Sequence, residues 1–304
     1  MNQRTVAFDI GGSKIEIARV DADGAISGRA TRPTPHDSFT SFAGAVASLV
    51  AGAGGADRIG ISIAGTVDPA TGIASAANVP AITGHVIAAE LSERLGVPVR
   101  VGNDADCFAL AEATVGAGRG LPVVFGAIFG TGVGGGLVVN GRLVRGAHGV
   151  TGEWGHGPVL ADAVRVRGIP LIACGCGQTG CVDTYGSARG LERIHLGLAG
   201  ETASSKDITA AWHAGDPKAA RTIDAFVDLV SGPLAMIVNT LGSSLIPIGG
   251  GLSSEERLFA RLDEAVRARV LARYSGPLVV PGTTRGASGL IGAAMLALES
   301  DEDA

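Results

Sequence analysis

Two segments of this sequence share the order of a buried strand, a glycine cluster and a returning strand. In the first segment, the apolar run Thr5–Ile10 predicts a buried strand, and Gly11 and Gly12 predict a tight turn. The alternating residues 15–20 then predict a strand that returns alongside the first. We therefore expect an N-terminal β-hairpin with an acid, Asp9, beside its glycine turn.

The same order returns further along the chain. Residues 123–129 predict a strand, residues 130–136 a glycine turn and residues 137–140 the return strand, followed by a hairpin turn at Asn140-Gly141. No short period is visible in the sequence. The pattern therefore indicates two related halves rather than an array of short repeats.

A third glycine cluster, residues 249–251, follows a short apolar strand and precedes a predicted helix at 253–271. The alternation of strands and helices indicates an α/β fold. The remaining predicted elements are strands at 59–64 and 97–101 and helices at 38–50, 87–95, 104–115, 217–241 and 288–298.

The domain boundary is placed from topology, because no charged or Ser/Pro-rich linker divides the chain. We expect a small N-terminal α/β domain at residues 1–102, completed by the C-terminal helix at about 288–304. A larger α/β domain is expected at 103–287.

Composition limits the classes of function. The 304 residues, 46% of them hydrophobic, are enough for two domains with cores, and we expect no membrane-spanning segment. A net charge of -5 without basic clusters argues against nucleic acid as a partner. The chain opens without a basic and apolar leader, so a cytoplasmic location is expected.

Three of the four cysteines, Cys174, Cys176 and Cys181, lie close together in the order C-x-C-x4-C. In a reducing compartment this spacing indicates a soft metal ion rather than disulfides. A closed zinc site needs a fourth ligand; the chain offers six histidines, and His156 is the nearest one upstream. The alternative is that small cysteines fill space in a glycine-rich turn.

Glycine turns at strand ends can present backbone N–H groups to phosphate oxygens, because a Cβ would block the approach. Any one of the three turns is more often a plain hairpin turn. Together with Asp9 and Lys14 at the first turn, they favour a nucleotide phosphate site. The G-x-G-x-x-G pattern of residues 130–135 leads into a strand and not a helix, so it does not indicate a dinucleotide fold.

Six motifs, in order and across nearly the whole chain, resemble those of the ROK family of bacterial sugar kinases and repressors: DIGGSK, GNDADCFALAE, GTGVGGG, GEWGH, CGCGQTGC and IGGGLS. The resemblance implies a two-domain, actin-like and hexokinase-like ATPase fold of duplicated ribonuclease H-like domains, with sugar and ATP meeting in the cleft between the domains. It also implies Mg²⁺ with the ATP and a structural zinc ion. The implied zinc ligands are His156, Cys174, Cys176 and Cys181.

The resemblance also implies roles in phosphoryl transfer. Asp104 is the expected base that takes the proton of the acceptor hydroxyl, and Asn103 is expected to bind a sugar hydroxyl. Seen alone, Asp104 would be interpreted as a helix N-cap. Asp9 is the expected metal-organising acid, acting through Mg²⁺-bound water.

The predicted binding residues form two sets. The sugar set is Gly65, Asn78, Asn103, Asp104, Glu153, His156 and Asp183. The nucleotide set is Asp9, Gly11, Gly12, Ser13, Lys14, Gly130, Thr131, Gly132, Gly249, Gly250 and Gly251.

Two residues depart from the family pattern. Ser13 replaces the usual Thr and keeps its hydroxyl, whereas Asp183 stands where the family places Glu. Asp is one methylene shorter, so its carboxylate should sit back by about 1.5 Å and leave room near the sugar's C1 and C2 substituents.

The expected activity is ATP-dependent 6-phosphorylation of N-acetylglucosamine. Residues 76–84 resemble a loop of bacterial N-acetylglucosamine kinases, whereas GEWGHGP is nearer to fructokinases and mannokinases, so glucose, mannose and fructose are the alternatives. A repressor would need a helix-turn-helix ahead of the first hairpin. A silent sugar sensor would lack a base such as Asp104, and an actin-like chaperone would not need the cysteine loop. The resemblance favours a homodimer.

Overall fold

The computed structural model describes residues 4–299. In the N-terminal part of the described chain, only one long strand is absent from the sequence prediction: Ile26–Pro33, whose residues are almost all exposed and do not alternate. The elements of this part are β1 (Thr5–Ile10), β2 (Lys14–Val20), β3 (Ile26–Pro33), α1 (Phe39–Gly52), β4 (Arg58–Ile63), β5 (Thr66–Val67), β6 (Ala74–Ser75), α2 (Ile87–Leu95), β7 (Val99–Asn103) and α3 (Asp104–Thr114).

The second part of the described chain contains more helix than the sequence predicts. Its elements are β8 (Val123–Phe129), β9 (Val133–Val139), β10 (Arg142–Leu143), α4 (Ala161–Arg167), α5 (Val182–Gly186), α6 (Ala188–Ala199), α7 (Ser205–His213), α8 (Pro217–Leu241), β11 (Ile246–Gly249), α9 (Glu256–Arg267), β12 (Val279–Pro281) and α10 (Ser288–Leu298).

Several predicted boundaries were wrong in this part, and α9 also ends at Arg267 rather than at residue 271. Strand β9 begins at Val133 and not at residue 137, because its glycines lie where neighbouring backbone comes close: a Cβ on Gly135 would be 2.8 Å from the Gly126 carbonyl oxygen. Helix α9 begins at Glu256 and not at residue 253, because Gly251–Ser254 first forms a 3₁₀ turn.

The two five-stranded sheets follow the same topology. The first has the order β3-β2-β1-β4-β7, and the second has the order β10-β9-β8-β11-β12. In the first sheet β2 runs antiparallel to β1, and β4 and β7 continue in parallel. In the second sheet β11 pairs in parallel with β8 and with β12. This repeated order confirms the predicted duplicated α/β fold.

The chain divides into two compact units. The prediction placed residues 103–120 in the second domain, whereas the structure keeps α3 in the first unit, together with α10. The reason is the close packing of these helices: a Cβ on Gly292 would lie 1.9 Å from the Cys107 carbonyl oxygen. Of the described residues, the first unit comprises those up to Gly120, Gly136–Thr151 and those from Thr283 onward; the second comprises Leu121–Gly135 and Gly152–Gly282.

The first sheet places several predicted site residues at one edge. Strands β1, β4 and β7 are parallel, and the registers pair Asp9 with Ser62 and Ile63 with Asn103. Their carboxyl ends therefore lie side by side. Ligands of open α/β sheets bind beyond this edge.

Helix α8 differs from the expectation that no segment could span a membrane. Among the described residues it is long and apolar enough to cross one by length and composition, and 72% of its apolar window is buried inside the protein. It contacts α6 and α9 of its own unit and continues through Pro233. Its composition is therefore accounted for by burial in the core.

Candidate active site

The first glycine turn is held by two side chains that the sequence analysis missed. Thr34 Oγ1 donates to the Gly11 carbonyl oxygen at 2.7 Å, and His36 Nε2 donates to the Gly12 carbonyl oxygen at 2.7 Å. A Cβ on Gly12 would lie 2.9 Å from the Asn78 carbonyl oxygen. The structure thus brings the predicted nucleotide turn against the predicted sugar residue Asn78.

Asp9 lies near the carboxyl end of β1, beside this turn. Burial raises the pKa of its carboxyl group, and the charge of Glu16 adds to that effect while the charge of Lys14 opposes it. A Cβ on Gly289 would lie 2.5 Å from Asp9 Cγ, so only glycine lets α10 approach the carboxylate this closely. Keeping an ionised acid beside the turn therefore costs the free energy of removing its carboxylate from water.

Lys14, beyond the turn, is paired with Glu16. Its Nζ lies 2.8 Å from Glu16 Oε2, and Arg29 Nη1 lies 3.3 Å from Glu16 Oε1. The hydrogen bond to Glu16 raises the pKa of Lys14, so this side chain remains a cation at neutral pH. Two cations share one carboxylate beside the turn, which is a suitable environment for phosphate.

Asn103, and not Asp104, is the N-cap of α3. Its Oδ1 accepts from Ala105 N at 2.7 Å, and its Nδ2 donates to the Gly65 carbonyl oxygen at 2.8 Å. The interpretation of Asp104 as the cap is therefore wrong: it is the first helical residue, and it is exposed. Ala105 N also donates to Asp104 Oδ1 at 2.9 Å, and a carboxylate at a helix N-terminus is stabilised by the peptide dipoles.

In the second unit, two predicted nucleotide turns lie together. Gly130 N donates to the Gly132 carbonyl oxygen at 2.9 Å, which closes the turn after β8. Gly250, with a φ of 87°, packs against it: a Cβ there would lie 2.4 Å from the Phe129 carbonyl oxygen. The clusters at 130–132 and 249–251 therefore form one glycine-lined surface at the ends of β8 and β11.

The four predicted zinc ligands form one cluster. One ligand atom from each of His156, Cys174, Cys176 and Cys181 lies within 4.8 Å of all the others. The Sγ atoms of Cys176 and Cys181 are 3.7 Å apart, and Cys174 Sγ is 3.7 Å from His156 Nδ1. Tetrahedral ligands about 2.3 Å from a zinc ion would be about 3.8 Å apart. These residues therefore fit a zinc ion.

The environment of the thiols favours at least one thiolate ligand. The Gln178 backbone N–H, with smaller contributions from the neighbouring thiols and His156, lowers the pKa of Cys176 to about 7. Burial raises the pKa of Cys181 to about 12. The loop is also braced by Tyr185, whose hydroxyl accepts from Ile172 N and donates to the Pro170 carbonyl oxygen, both at 2.9 Å.

The predicted sugar residues of this unit face two directions. His156 directs Nδ1 towards Cys174, and its Nε2 lies 3.8 Å from Glu153 Oε2. The ring nitrogen that faces the cysteine cluster and the one that lies near Glu153 are thus distinct. Asp183 instead turns towards the glycine turn, where its Oδ1 accepts from Val133 N at 2.7 Å.

Glu112 lies within the helix predicted at residues 104–115, and in the structure it is a buried centre of hydrogen bonding. Its Oε1 accepts from Thr284 N at 2.7 Å and Thr284 Oγ1 at 2.6 Å, and its Oε2 accepts from Ala117 N at 2.9 Å and Thr283 Oγ1 at 3.3 Å. The carboxylate therefore ties the end of α3, the helix that begins with Asp104, to the segment before α10.

Comparison with known proteins agrees with this geometry. Residues 5–300 match the family model described as ROK family. The chain belongs to the ROK family. This confirms the resemblance found in the six sequence motifs.

Individual ROK relatives match over nearly their full length. The chain is 38% identical over 297 residues to N-acetyl-D-glucosamine kinase of Salmonella paratyphi C (strain RKS4594), covering 96% of this chain and 98% of the relative. It is 37% identical to an N-acetylgalactosamine kinase of Shewanella sp. (strain ANA-3), covering 95% of each. The structure of a ROK glucokinase from Streptomyces griseus in complex with glucose and AMPPNP matches with a TM-score of 0.75 and 30% identity, covering 98% of this chain and all of that one.

Proposed function

We propose that this protein is a hexose kinase that transfers the γ-phosphoryl group of ATP to the 6-hydroxyl of N-acetylglucosamine. The observation that carries the proposal is the exposed carboxylate of Asp104 at the first residue of α3, in a chain 38% identical over nearly its full length to an N-acetyl-D-glucosamine kinase. An exposed acid beside a strand-end turn is the group that this reaction needs.

Asp104 acts as the base. As the 6-hydroxyl oxygen bonds to the γ-phosphorus, the bond to the β-phosphate oxygen breaks and ADP leaves. The hydroxyl proton passes to the Asp104 carboxylate. The position of Asp104 at the N-terminus of α3 suits a negative charge, because the helix dipole favours one there.

The predicted sugar residues supply the sugar contacts in this proposal. In the first unit, the contacts come from Gly65, Asn78 and Asn103; the Asn103 amide keeps one further N–H beyond its bond to Gly65. In the second unit, Glu153 and His156 Nε2 bind sugar hydroxyls. Their 3.8 Å separation is wide enough for a hydroxyl to bond to both after a small adjustment.

The nucleotide phosphates bind to the glycine turns in this proposal. The first turn contributes Gly11, Gly12, Ser13 and Lys14, and the second unit contributes residues 130–132 and 249–251. Mg²⁺, when bound, neutralises charge on the phosphate oxygens. Asp9 fits a role in holding its hydration shell, because a carboxylate oxygen is the ligand type that Mg²⁺ prefers.

Zinc is a structural ion in this proposal, held by His156, Cys174, Cys176 and Cys181 in the loop that also carries Glu153. We further propose a cytoplasmic protein that forms a homodimer, as the family resemblance favours. Light scattering at micromolar concentration tests the dimer, and a monomeric mass would reject it.

A coupled assay of ADP release, with and without sugar, tests the proposed activity. Release that requires a sugar supports a kinase; release without sugar, or none at all, rejects it in favour of a chaperone-like ATPase or a silent sensor. Glucose is the second candidate substrate, because the Streptomyces griseus relative was solved with glucose bound. N-acetylgalactosamine belongs in the panel because of the Shewanella relative.

A further inference from the structure

Val133, the residue after the glycine turn 130–132, is enclosed by the segments that carry the metal-binding residues. Its N–H donates to Asp183 Oδ1 at 2.7 Å, and the residue is only 5% exposed. Its carbonyl oxygen faces Gly155, where a Cβ would be 2.0 Å away, so no other residue fits there. Contacts with Asp183 and Gly155, which lie outside the turn, therefore fix the orientation of Val133 and of the peptide units just before it.

Trp154 makes a second connection from the same loop. Its indole Nε1 donates to the Gly134 carbonyl oxygen at 2.8 Å, and its ring makes edge contacts with Phe129 and Phe125 at centroid distances of 5.7 Å and 6.4 Å. Trp154 is one of two tryptophans in the chain. Its emission is therefore a local reporter on the strand that follows the turn.

The Asp183 carboxylate lies against the turn itself. A Cβ on Gly132 would be 2.6 Å from Asp183 Oδ1, the oxygen that accepts from Val133 N. Asp183 is in the first turn of α5, two residues after the metal-binding Cys181. A carboxylate bond to a backbone N–H is charge-assisted and about twice as strong as a neutral one, so this contact holds the turn firmly.

We propose that Asp183 is a positioning residue for the glycine turn 130–132, so that its loss weakens binding of the nucleotide phosphates more than binding of the sugar. The inference rests on the proposed function for its ligands. The physical reason is preorganisation: amides already fixed in direction bind an anion without the cost of ordering the turn. The sequence alone placed Asp183 among the sugar residues, and its bond to Val133 points to this different role.

The test compares D183A and D183N in a W212F background, in which Trp154 is the only tryptophan. AMPPNP and N-acetylglucosamine are titrated separately by calorimetry. For D183A we expect the dissociation constant of AMPPNP to rise about tenfold and that of the sugar to change less than about twofold. D183N keeps an oxygen acceptor, so we expect a smaller rise of about threefold for AMPPNP. The control D162N removes an exposed carboxylate in the first turn of α4 and should change neither constant.

A loss of sugar affinity equal to or greater than the loss of nucleotide affinity would overturn the proposal, as would unchanged nucleotide affinity. If D183A does not fold, D183N is tested in its place, and its affinity for AMPPNP should again fall more than its affinity for the sugar. Emission of Trp154 without ligands separates this inference from the proposed function: a red shift in the Asp183 variants supports the contact, and an unshifted spectrum overturns it. Failure of the wild type to release ADP in response to sugar would instead reject the kinase activity.

Discussion

Asp104 is the residue on which the proposed chemistry depends most. The D104N variant keeps the shape of the side chain and the α3 N-terminus, with Asn103 still as its cap. We expect kcat to fall at least about 100-fold, because an amide cannot take the hydroxyl proton. The dissociation constants of sugar and AMPPNP should stay within about threefold.

Steady-state kinetics and calorimetry on D104N measure both effects. D162N serves as the matched control, since it makes the same change at an exposed aspartate in the first turn of another helix. If D104N retained a tenth or more of the wild-type kcat, Asp104 could not be the base.

The ionised Asp9 carboxylate is expected to lower the stability of the protein while serving the proposed activity. Burial raises its pKa in the folded protein, so the ionised carboxylate at neutral pH costs folding free energy relative to the unfolded chain. We expect D9N to melt at a higher temperature than the wild type at pH 7 while losing activity. This advantage should shrink as the pH falls through the raised pKa of Asp9, because the wild-type carboxyl is then protonated.

Thermal melts of both proteins from pH 7 to pH 4 check this sign. A D9N variant that melted below the wild type at pH 7 would show that the ionised carboxylate is a net stabilising group. In that case a pairing of Asp9 would outweigh its desolvation.

At the level of residues, sequence reasoning succeeded for ligands with diagnostic spacing. The C-x-C-x4-C pattern and the nearby His156 identified the cluster that the structure brings together. Sequence reasoning missed Thr34, His36 and Glu112, because a single Thr, His or Glu in a loop or helix has no local signature. Their roles arise from long-range hydrogen bonds, such as that of Glu112 to Thr284.

The loop with the cysteine cluster is the element for which we propose a structural zinc ion. We expect about one zinc ion per chain in the purified protein and a clear loss of zinc in C176S. Because the metal ties the cysteine segment to His156, C176S should lower the melting temperature by about 5 °C or more and weaken sugar binding through Glu153 and His156.

Elemental analysis and thermal melts provide these data. C107S is the matched control: Cys107 is buried in α3 and is not one of the four clustered residues, so its replacement should leave the zinc content unchanged. Wild-type protein that carried no zinc would reject a structural zinc ion.

Near the C-terminal end of α3, the side chain of Glu112 is expected to stabilise the folded protein. Glu112 accepts four hydrogen bonds in a buried position, and an amide in its place would present N–H groups to donors. We expect E112Q to lower the free energy of unfolding by about 3 kcal/mol. Urea denaturation measures this, with the exposed Glu93 as the control in E93Q. A change below about 1 kcal/mol would mean that the Glu112 bonds are not a main anchor of α3.

Element prediction worked where hydrophobic periodicity was strong. Helices α2, α8 and α10 and strands β1 and β8 have the predicted bounds. The exposed strand β3 gave no signal, because its residues face solvent and pair only with β2. Helices α6 and α7 were missed because an amphipathic pattern in a polar, glycine-flanked region is weak without its packing partners.

For the whole molecule, the motif order predicted the duplicated fold, and the glycine turns predicted which strand ends carry the polar residues. The direction in which each side chain points could not be predicted. Asp183 shows this: the motif placed it in the sugar set, and in the structure its Oδ1 accepts from Val133 N in the glycine turn region. Such choices depend on which backbone groups the folded chain brings within reach.

The sugar preference is the property of the whole molecule that the sequence motifs left open. The match to an N-acetyl-D-glucosamine kinase supports the N-acetylated sugar, and the glucose complex of a more distant relative supports the alternative. Discrimination between the two is measured by kcat/KM, since that ratio compares transition-state binding directly.

The most direct test of the account is therefore one series of kcat/KM values for N-acetylglucosamine, N-acetylgalactosamine, glucose, mannose and fructose with ATP, measured under identical conditions. We predict the highest value for N-acetylglucosamine, by about tenfold or more over each plain hexose, with the 6-phosphate as product. A plain hexose that ranked above N-acetylglucosamine would contradict the proposed substrate, and the absence of turnover with every sugar would contradict the proposed kinase.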